Sequence, residues 1–417
     1  MRILACIPFI VLAAALQACQ SRQPDEPAAA GPDIHGRARK LAHETLIVDT
    51  HVDVPYRLAK KMEDISVRTA EGNFDYPRAK QGGLDAPFMS IYVPAEYQKS
   101  GGAKQYADKL IDMVEKFETD WPDKFALARS TADVERAFAE GRIALPMGME
   151  NGAPVEDDLA NVEHFHSRGV RYITLTHSEN NQICDSSYAK EKTWHGLSPF
   201  GRQVVAEMNR IGIMIDISHV SDETFWQVME ISKAPAIASH SSCRKFTPGW
   251  ERNIDDEMIK TLAARGGVVQ INFGSSFLRE DANRASTAFW KLRKAHQEAE
   301  GLKDDDPALD EFETQYWKEH GKIFATISDV ADHIDHVVAL AGVDHVGFGS
   351  DFDGVGDSLP GGLKDVSGYP NLIEELIKRG YSDVAIRKIA GGNLIRVWAE
   401  VEKLAERAGA KPPAGGS

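Results

Sequence analysis

Eight short runs rich in apolar and β-branched residues recur along this chain, and stretches with helical spacing separate most of them. They are "LIVDTH" at 46–51, "APFMSIYV" at 86–93, "ALPMGME" at 144–150, "RYITLTH" at 171–177, "IMIDISH" at 213–219, "PAIASH" at 235–240, "GVVQINF" at 267–273 and "HVGFGSD" at 345–351. Runs of this length and composition predict strands. Between them, "GGAKQYADKLIDMVEKFETD" at 101–120 repeats apolar residues three and four apart. "GRQVVAEMNRIG" at 201–212 ends on Gly212, a helix stop signal. Eight strands alternating with helices predict an α/β fold of the (β/α)8, TIM-barrel type. The length of 417 residues suits one such barrel with insertions. One stretch breaks the alternation: 274–327, after the seventh strand, is charged and includes "EAEGLKDDDPALDEFETQYWKEH". It reads as an insertion of polar helices, serving as a lid, a dimer contact or simply a solvated surface.

The residues closing these runs are more informative than the runs. The first gives His51 and then Asp53, the third Glu150, the fourth His177, the fifth His219, the sixth His240 and the eighth Asp351. All are metal-ligating or proton-transferring types. In a barrel they fall at the C-terminal ends of the strands, where active sites form from residues on different strands. His51 and Asp53 are two apart, so both face one side if the strand continues through them. His164 and His166 on "NVEHFHSRG", and His333 and His336 on "VADHIDHVV", read instead as surface or packing residues of helices. His345 opens the eighth strand, at the wrong end for catalysis.

A single metal takes about four ligands, one position usually being left to water. This set is larger. His51, Asp53 and Glu150 can hold a first ion, and His219 and His240 a second, with Glu150 bridging. Two ions about 3.5–4 Å apart activate a shared water and polarise a carbonyl. Imidazole and carboxylate ligands suit zinc, and also manganese, cobalt or iron. His177 is then left to donate a hydrogen bond to a developing oxyanion, and Asp351 to move the proton of the water to a leaving amine. Asp353, two residues on, is the alternative to Asp351 in the same loop.

The net charge of −15, from 48 basic and 63 acidic residues, argues against nucleic acid or an anionic membrane as a partner. At the N-terminus, Arg2 precedes the apolar run "ILACIPFIVLAAALQA", too short to span a bilayer but suited to a secretory signal. "LQAC" at 16–19 is the pattern of a bacterial lipoprotein signal. Residues 1–18 are then removed and Cys19 is lipidated. Residues 19–34 form a tether, 35–405 the barrel and 406–417 a disordered tail. This places the protein on the periplasm-facing side of a bacterial cell envelope, held to the membrane by its lipid. Cys184 and Cys243 remain, and in an exported protein they can form one disulfide. Their spacing supports no zinc finger.

Taken in order, "DTHVD", "GMEN", "LTHSENN", "DISHVS", "SHSS", "RNIDDEMI" and "GFGSDFDGV" resemble the membrane dipeptidases, also called renal dipeptidases, from about Ala42 to Glu400. The resemblance implies a binuclear zinc hydrolase of the amidohydrolase-like barrels. It implies His51 and Asp53 on one zinc, His219 and His240 on the other, and Glu150 between them. It implies His177 as the histidine near the scissile carbonyl and Asp351 as the acid/base. It also adds Arg252 of "ERNIDDE", which the residue pattern alone does not reveal, as the group that binds the substrate's carboxylate, a chemistry suited to guanidinium. The implied substrate is a dipeptide, with tolerance for a D-residue at the second position. The chain departs from mammalian members in its lipoprotein-like start and in lacking a C-terminal hydrophobic anchor signal. A disulfide-linked dimer is therefore not implied, although a homodimer is compatible. Two rival readings are another binuclear amidohydrolase acting on lactams, lactones or acylated amino acids, and a non-catalytic peptide-binding lipoprotein.

Overall fold

A computed structural model describes residues 33–303 and 306–409. Cys19 and the segments before and after it in the expected leader and tether lie outside the described residues, as does most of the expected tail. Ten strands run in chain order: β1 (Ile47–Val52), β2 (Leu84–Tyr92), β3 (Phe125–Leu127), β4 (Ile143–Leu145), β5 (Met147–Glu150), β6 (Val170–Thr174), β7 (Met214–Asp216), β8 (Ala236–Ser241), β9 (Val268–Ile271) and β10 (Val346–Phe348). Eight of them close a barrel in the order β1-β10-β9-β8-β7-β6-β5-β2, every pair parallel. This is the TIM-type architecture expected.

The strands differ from the sequence reading in extent. The run at 144–150 is two strands, broken at Pro146. β4 pairs with β3 outside the barrel and only β5 joins it. Proline has no N–H to give to a ladder, so the chain changes sheet there. Its carbonyl still serves the barrel by accepting from Met89 N–H at 2.8 Å. The runs expected to end at His177, His219 and Asp351 stop three residues earlier, at Thr174, Asp216 and Phe348. Their terminal ligand-type residues therefore stand on loops just past the strands. His219 and Asp351 reach their places through left-handed backbone, with φ of 69° and 64°.

Helices cover the barrel. The helix expected at 101–120 spans Ala103–Asp120, and that at 201–212 spans Pro199–Ile211, closed by Gly212 in left-handed conformation. Between β9 and β10 the chain inserts two long helices, Glu280–Glu300 and Pro307–His320. They share an aromatic seam in which Phe289 meets Phe312, Tyr316 and Trp317. Little else of them is buried, as their charged sequence requires. The C-terminal helix Asn393–Arg407 closes the end of the barrel where the strands begin. Its Trp398 is fully buried and meets Phe88 in a tilted ring contact at 5.4 Å, among Val48, Met214, Ile237 and Val268 near the starts of their strands.

Cys184 and Cys243 are both buried free thiols, so the disulfide is not formed. The two are held by different neighbours: the Cys243 N–H donates to His333 Nδ1, while Cys184 pairs its backbone with Leu197. His333 is a packing residue and His164 pairs with Asp108. No helix among the described residues is long and apolar enough to cross a membrane.

Candidate active site

β1 carries His51 inside the strand but ends at Val52. Asp53 stands at the N-cap position of the following helix, its side chain making no capping hydrogen bond, instead of continuing the strand. The two side chains nonetheless converge, with His51 Nε2 3.4 Å from Asp53 Oδ2. What aligns them is the β10 loop: Asp351 N–H donates to His51 O, and Asp53 N–H to Phe352 O. Glu150, the last residue of β5, points into the same space. Its Oε2 is 3.3 Å from His51 Nε2. Its Oε1 is 3.0 Å from His219 Nε2, 3.3 Å from His240 Nε2 and 3.6 Å from His177 Nε2. His219 and His240 bring their Nε2 atoms to 2.9 Å. One carboxylate thus faces histidines from four elements.

Three groups of donor atoms are close enough to hold an ion: His51, Glu150 and His240; Glu150, His177 and His219; and His51, Asp53 and Asp351. Buried His51 Nε2 and Asp53 Oδ1 have no hydrogen-bond partner among the described residues. Buried polar atoms are rarely left so, and a divalent cation held by His51 and Asp53 would supply what is missing. The protonation chemistry divides. Burial would lower His51, but facing Tyr172, Glu150 and Asp53 outweigh it and hold the ring well above the usual histidine range, so an ion there would displace a proton. Burial, with the Arg252 charge and neighbouring imidazoles, holds His219 and His240 well below the usual histidine range. They are therefore neutral, the form that ligates metal. Burial alone would raise the Glu150 carboxyl. The facing imidazoles of His51 and His177, with hydrogen bonds from His219 and His240, outweigh it and hold the group well below the carboxylate range.

Asp351 and Asp353 part ways. The Asp351 carboxylate lies with His51 and Asp53 and accepts from Asn272 Nδ2 at 2.7 Å. The Asp353 carboxylate is turned to Arg57, 3.0 Å from its Nε, and to the backbone N–H of Asn73. Burial pushes the Asp351 carboxyl up to about 7; His51 opposes this, and Asp53 and Glu150 add to it. Arg252 is buried above β8. Its Nη1 donates to Ser241 Oγ at 2.7 Å and its Nη2 to His240 O at 2.8 Å, while its Nε–H has no partner among the described residues. His177 lies at the rim, its ring 4.7 Å from Tyr92 and 4.3 Å from His219.

Three residues here escaped the sequence reading. Tyr92 is what the second strand brings to the mouth, and Asn272 follows the seventh; neither is a ligand type, so the pattern of ligand-type residues does not reveal them. Gly354 is glycine because two carboxylates close on its Cβ position. A Cβ there would sit 2.3 Å from both Asp351 Oδ1 and Asp53 Oδ2.

Known proteins show the same arrangement of chain. The crystal structure of the probable dipeptidase PvdM from Pseudomonas aeruginosa matches with a TM-score of 0.77 and 28% identity, over 90% of this chain and 100% of that one. A metallopeptidase from Rhodobacter sphaeroides, liganded with a phosphinate mimic of the dipeptide L-Ala-D-Ala, matches with a TM-score of 0.70 and 27% identity, over 86% and 99%. A further dipeptidase structure, dipeptidase AC, matches with a TM-score of 0.69 and 27% identity, over 86% and 99%. The sequence model of the membrane dipeptidases, peptidase family M19, matches residues 35–412. A barrel whose mouth gathers this many histidines and carboxylates, joined to a family match over nearly the whole described chain, leads to one assignment: the chain belongs to the membrane dipeptidase family and is a metallodipeptidase.

Proposed function

We propose that the protein hydrolyses the single amide of a dipeptide, including dipeptides with a D-residue at the C-terminal position, at a centre of two zinc ions. The observation that carries the reading is Glu150: one carboxylate oxygen faces His51 and the other faces His219 and His240. His51, Asp53 and Glu150 would hold one ion, and Glu150, His219 and His240 the other. Bound there, the ions supply polarisation of the scissile carbonyl and a more acidic attacking water.

The remaining residues divide the work around the bond. Arg252 binds the substrate's terminal carboxylate, fixing the scissile amide one residue away. His177 donates a hydrogen bond to the carbonyl oxygen as negative charge develops on it. Asp351 takes a proton from the attacking water and returns it to the leaving amine, so one carboxyl serves both halves of the reaction. Asn272 holds that carboxyl in place. The D-residue is supported by the Rhodobacter sphaeroides relative, whose ligand mimics L-Ala-D-Ala.

The test is metal analysis of the purified protein together with a library of L-Xaa–L-Xaa and L-Xaa–D-Xaa dipeptides, tripeptides and dipeptide amides. Two equivalents of zinc and a strong preference for free dipeptides are expected. Glu150→Ala should weaken both sites, and His240→Ala chiefly one. Two tightly held equivalents in Glu150→Ala would refute the shared ligand. Preferential cleavage of lactams or N-acyl amino acids would move the enzyme to another reaction. The location proposed with this activity, a lipid-anchored enzyme facing the periplasm, is supported by "LQAC" at 16–19. Mass spectrometry of the native N-terminus should find an acylated Cys19; a different cleavage site without acyl chains would reject it.

A further inference from the structure

We propose that Asp216, acting through Ser239, and Tyr172 are positioning residues that fix which ring nitrogen of His240 and of His51 faces the metal centre. The inference rests on the metal reading above but concerns atoms outside the ligand set. In each case a hydroxyl has one hydrogen, and a neighbour that can only accept already claims it. Tyr172 OH donates to the carbonyl of Thr50 at 2.9 Å. His51 Nδ1 lies 2.8 Å from the same oxygen. With the Tyr172 hydrogen committed to a carbonyl, this contact requires the proton on His51 Nδ1, so Nε2, which faces Glu150, is the nitrogen left to meet a metal.

The His240 relay repeats the arrangement with other parts. Ser239 Oγ donates to Asp216 Oδ2 at 2.6 Å, and His240 Nδ1 lies 2.7 Å from that hydroxyl oxygen. Asp216 is well placed to claim the hydrogen. Its other oxygen accepts the backbone N–H groups of Ser218 and Ser239, at 3.0 and 2.8 Å, and Oδ2 also accepts from Thr174 Oγ1. The serine can then only accept from His240, so that ring too is protonated on Nδ1 and offers Nε2. All of these groups are fully buried, so water does not compete. The barrel also makes room for one relay. The Tyr172 ring crosses the interior only because residue 148 is glycine, where a Cβ would lie 1.9 Å from the tyrosine ring. By contrast His219 Nδ1 and His177 Nδ1, also buried, have no hydrogen-bond partner among the described residues. The fixing is particular to His51 and His240.

The substitution that separates this from ordinary packing is Asp216→Asn. Two backbone N–H groups hold the Oδ1 position for the amide oxygen, so the amide nitrogen falls where Oδ2 was and donates to both hydroxyls. Ser239 then turns its hydrogen to His240 Nδ1 and forces the ring proton onto Nε2. The full chain is probed with Zn2+ in competition with a chromogenic chelator, and the metal-free chain by 15N–1H correlation of labelled histidine rings. Partners of this kind are worth about 10–100-fold in metal affinity. We expect such a loss in Asp216→Asn and in Tyr172→Phe, and in Asp216→Asn one ring moving from the Nδ1–H to the Nε2–H form. Should Asp216→Asn not fold, Ser239→Ala cuts the same relay and should show the same loss. Wild-type zinc affinity in folded Tyr172→Phe and in the His240-relay variant, or an unchanged ring spectrum in folded Asp216→Asn, would overturn the proposal. A wild-type protein that holds no zinc would instead defeat the metal reading, while the ring spectrum would still decide the relay.

Discussion

The two ends of this barrel are built to opposite specifications. Where the strands begin, Trp398, Phe88, Val48, Met214 and Val268 are buried apolar side chains in mutual contact. Where the strands end, the buried residues are His51, Asp53, Glu150, His219 and His240. There, His51 Nε2 and Asp53 Oδ1 lack partners among the described residues, and His219, Asp351 and Asp353 take left-handed backbone that costs non-glycine residues about 1–3 kcal/mol each. The first end is held by apolar contacts, with Trp398 Nε1 alone of these named side chains lacking a hydrogen-bond partner among the described residues. The second accepts strain and unpaired polar groups because the chemistry needs them. Stability and activity should therefore respond to different residues, and each substitution below tries that separation.

The largest effect is expected at the mouth. Asp351→Asn keeps the shape and the hydrogen-bonding neighbour but removes the proton carrier. A positioned acid–base group contributes about 10²–10⁴-fold, so kcat should fall by that order while zinc content and melting temperature hold. A metal-replete variant with near wild-type kcat would show that the proton leaves by another route. At the other end, Trp398→Ala should cost about 3–5 kcal/mol of stability in urea unfolding, with kcat per folded molecule unchanged. If kcat fell in proportion to stability, the two ends would not be separable.

How much of this was legible in the sequence divides along the same line. The barrel was, because each strand is a compact apolar run and eight of them alternate with helices. The gathering of His51, Asp53, Glu150, His177, His219, His240 and Asp351 at one end was legible too, since strand direction alone places them. What was not legible is how they get there. His51 and Asp53 are expected to share a strand face; in fact Asp53 stands at the N-cap position of a helix and is aligned by the β10 loop, distant in sequence, through Asp351 N–H and Phe352 O. The break at Pro146 is written in the sequence, but apolar residues on both sides of it make one continuous run. The relays through Tyr172 and Ser239 were hidden for a different reason. Tyrosine and serine on buried strands look like ordinary core, and only the distances show whose hydrogen goes where.

Gly354 sharpens the comparison at intermediate size. Its missing side chain is what lets Asp53 and Asp351 approach from two loops, each with an oxygen 2.3 Å from the Cβ position. Gly354→Ala should push one or both carboxylates aside. A displacement of about 1 Å at a reacting group can cost about 100-fold, so a loss of about 10–100-fold in kcat, or a matching loss of zinc affinity, is expected. The control is Gly361→Ala, where a Cβ meets nothing within 4 Å. Equal behaviour of the two variants in steady-state kinetics would remove Gly354 from the site's construction.

The smallest effect tests whether the structural end is as free of conflict as it looks. Asp85, the second residue of β2, is buried and accepts the N–H of Ile47 at the start of β1 at 3.1 Å. Burial pushes its carboxyl from 3.8 up to about 7, with the Ile47 hydrogen bond and the Lys80 charge opposing. A carboxyl whose value is higher folded than unfolded binds its proton more tightly in the native state. Its favourable contribution is thus complete below about pH 4 and is lost as pH rises towards about 7. Asp85→Asn keeps an acceptor for Ile47 and has nothing to ionise, so its stability should not fall across that window. A shift of this size corresponds to at most about 4 kcal/mol, and the new amide N–H groups need partners of their own at about 1–3 kcal/mol. A net gain of about 1 kcal/mol at neutral pH is expected, with no gain at pH 4 and no change in kcat. Urea unfolding at the two pH values measures it. Parallel stability profiles for wild type and variant would show that Asp85 ionises in the native protein without penalty, and that this end of the barrel tolerates a buried charge as readily as the other.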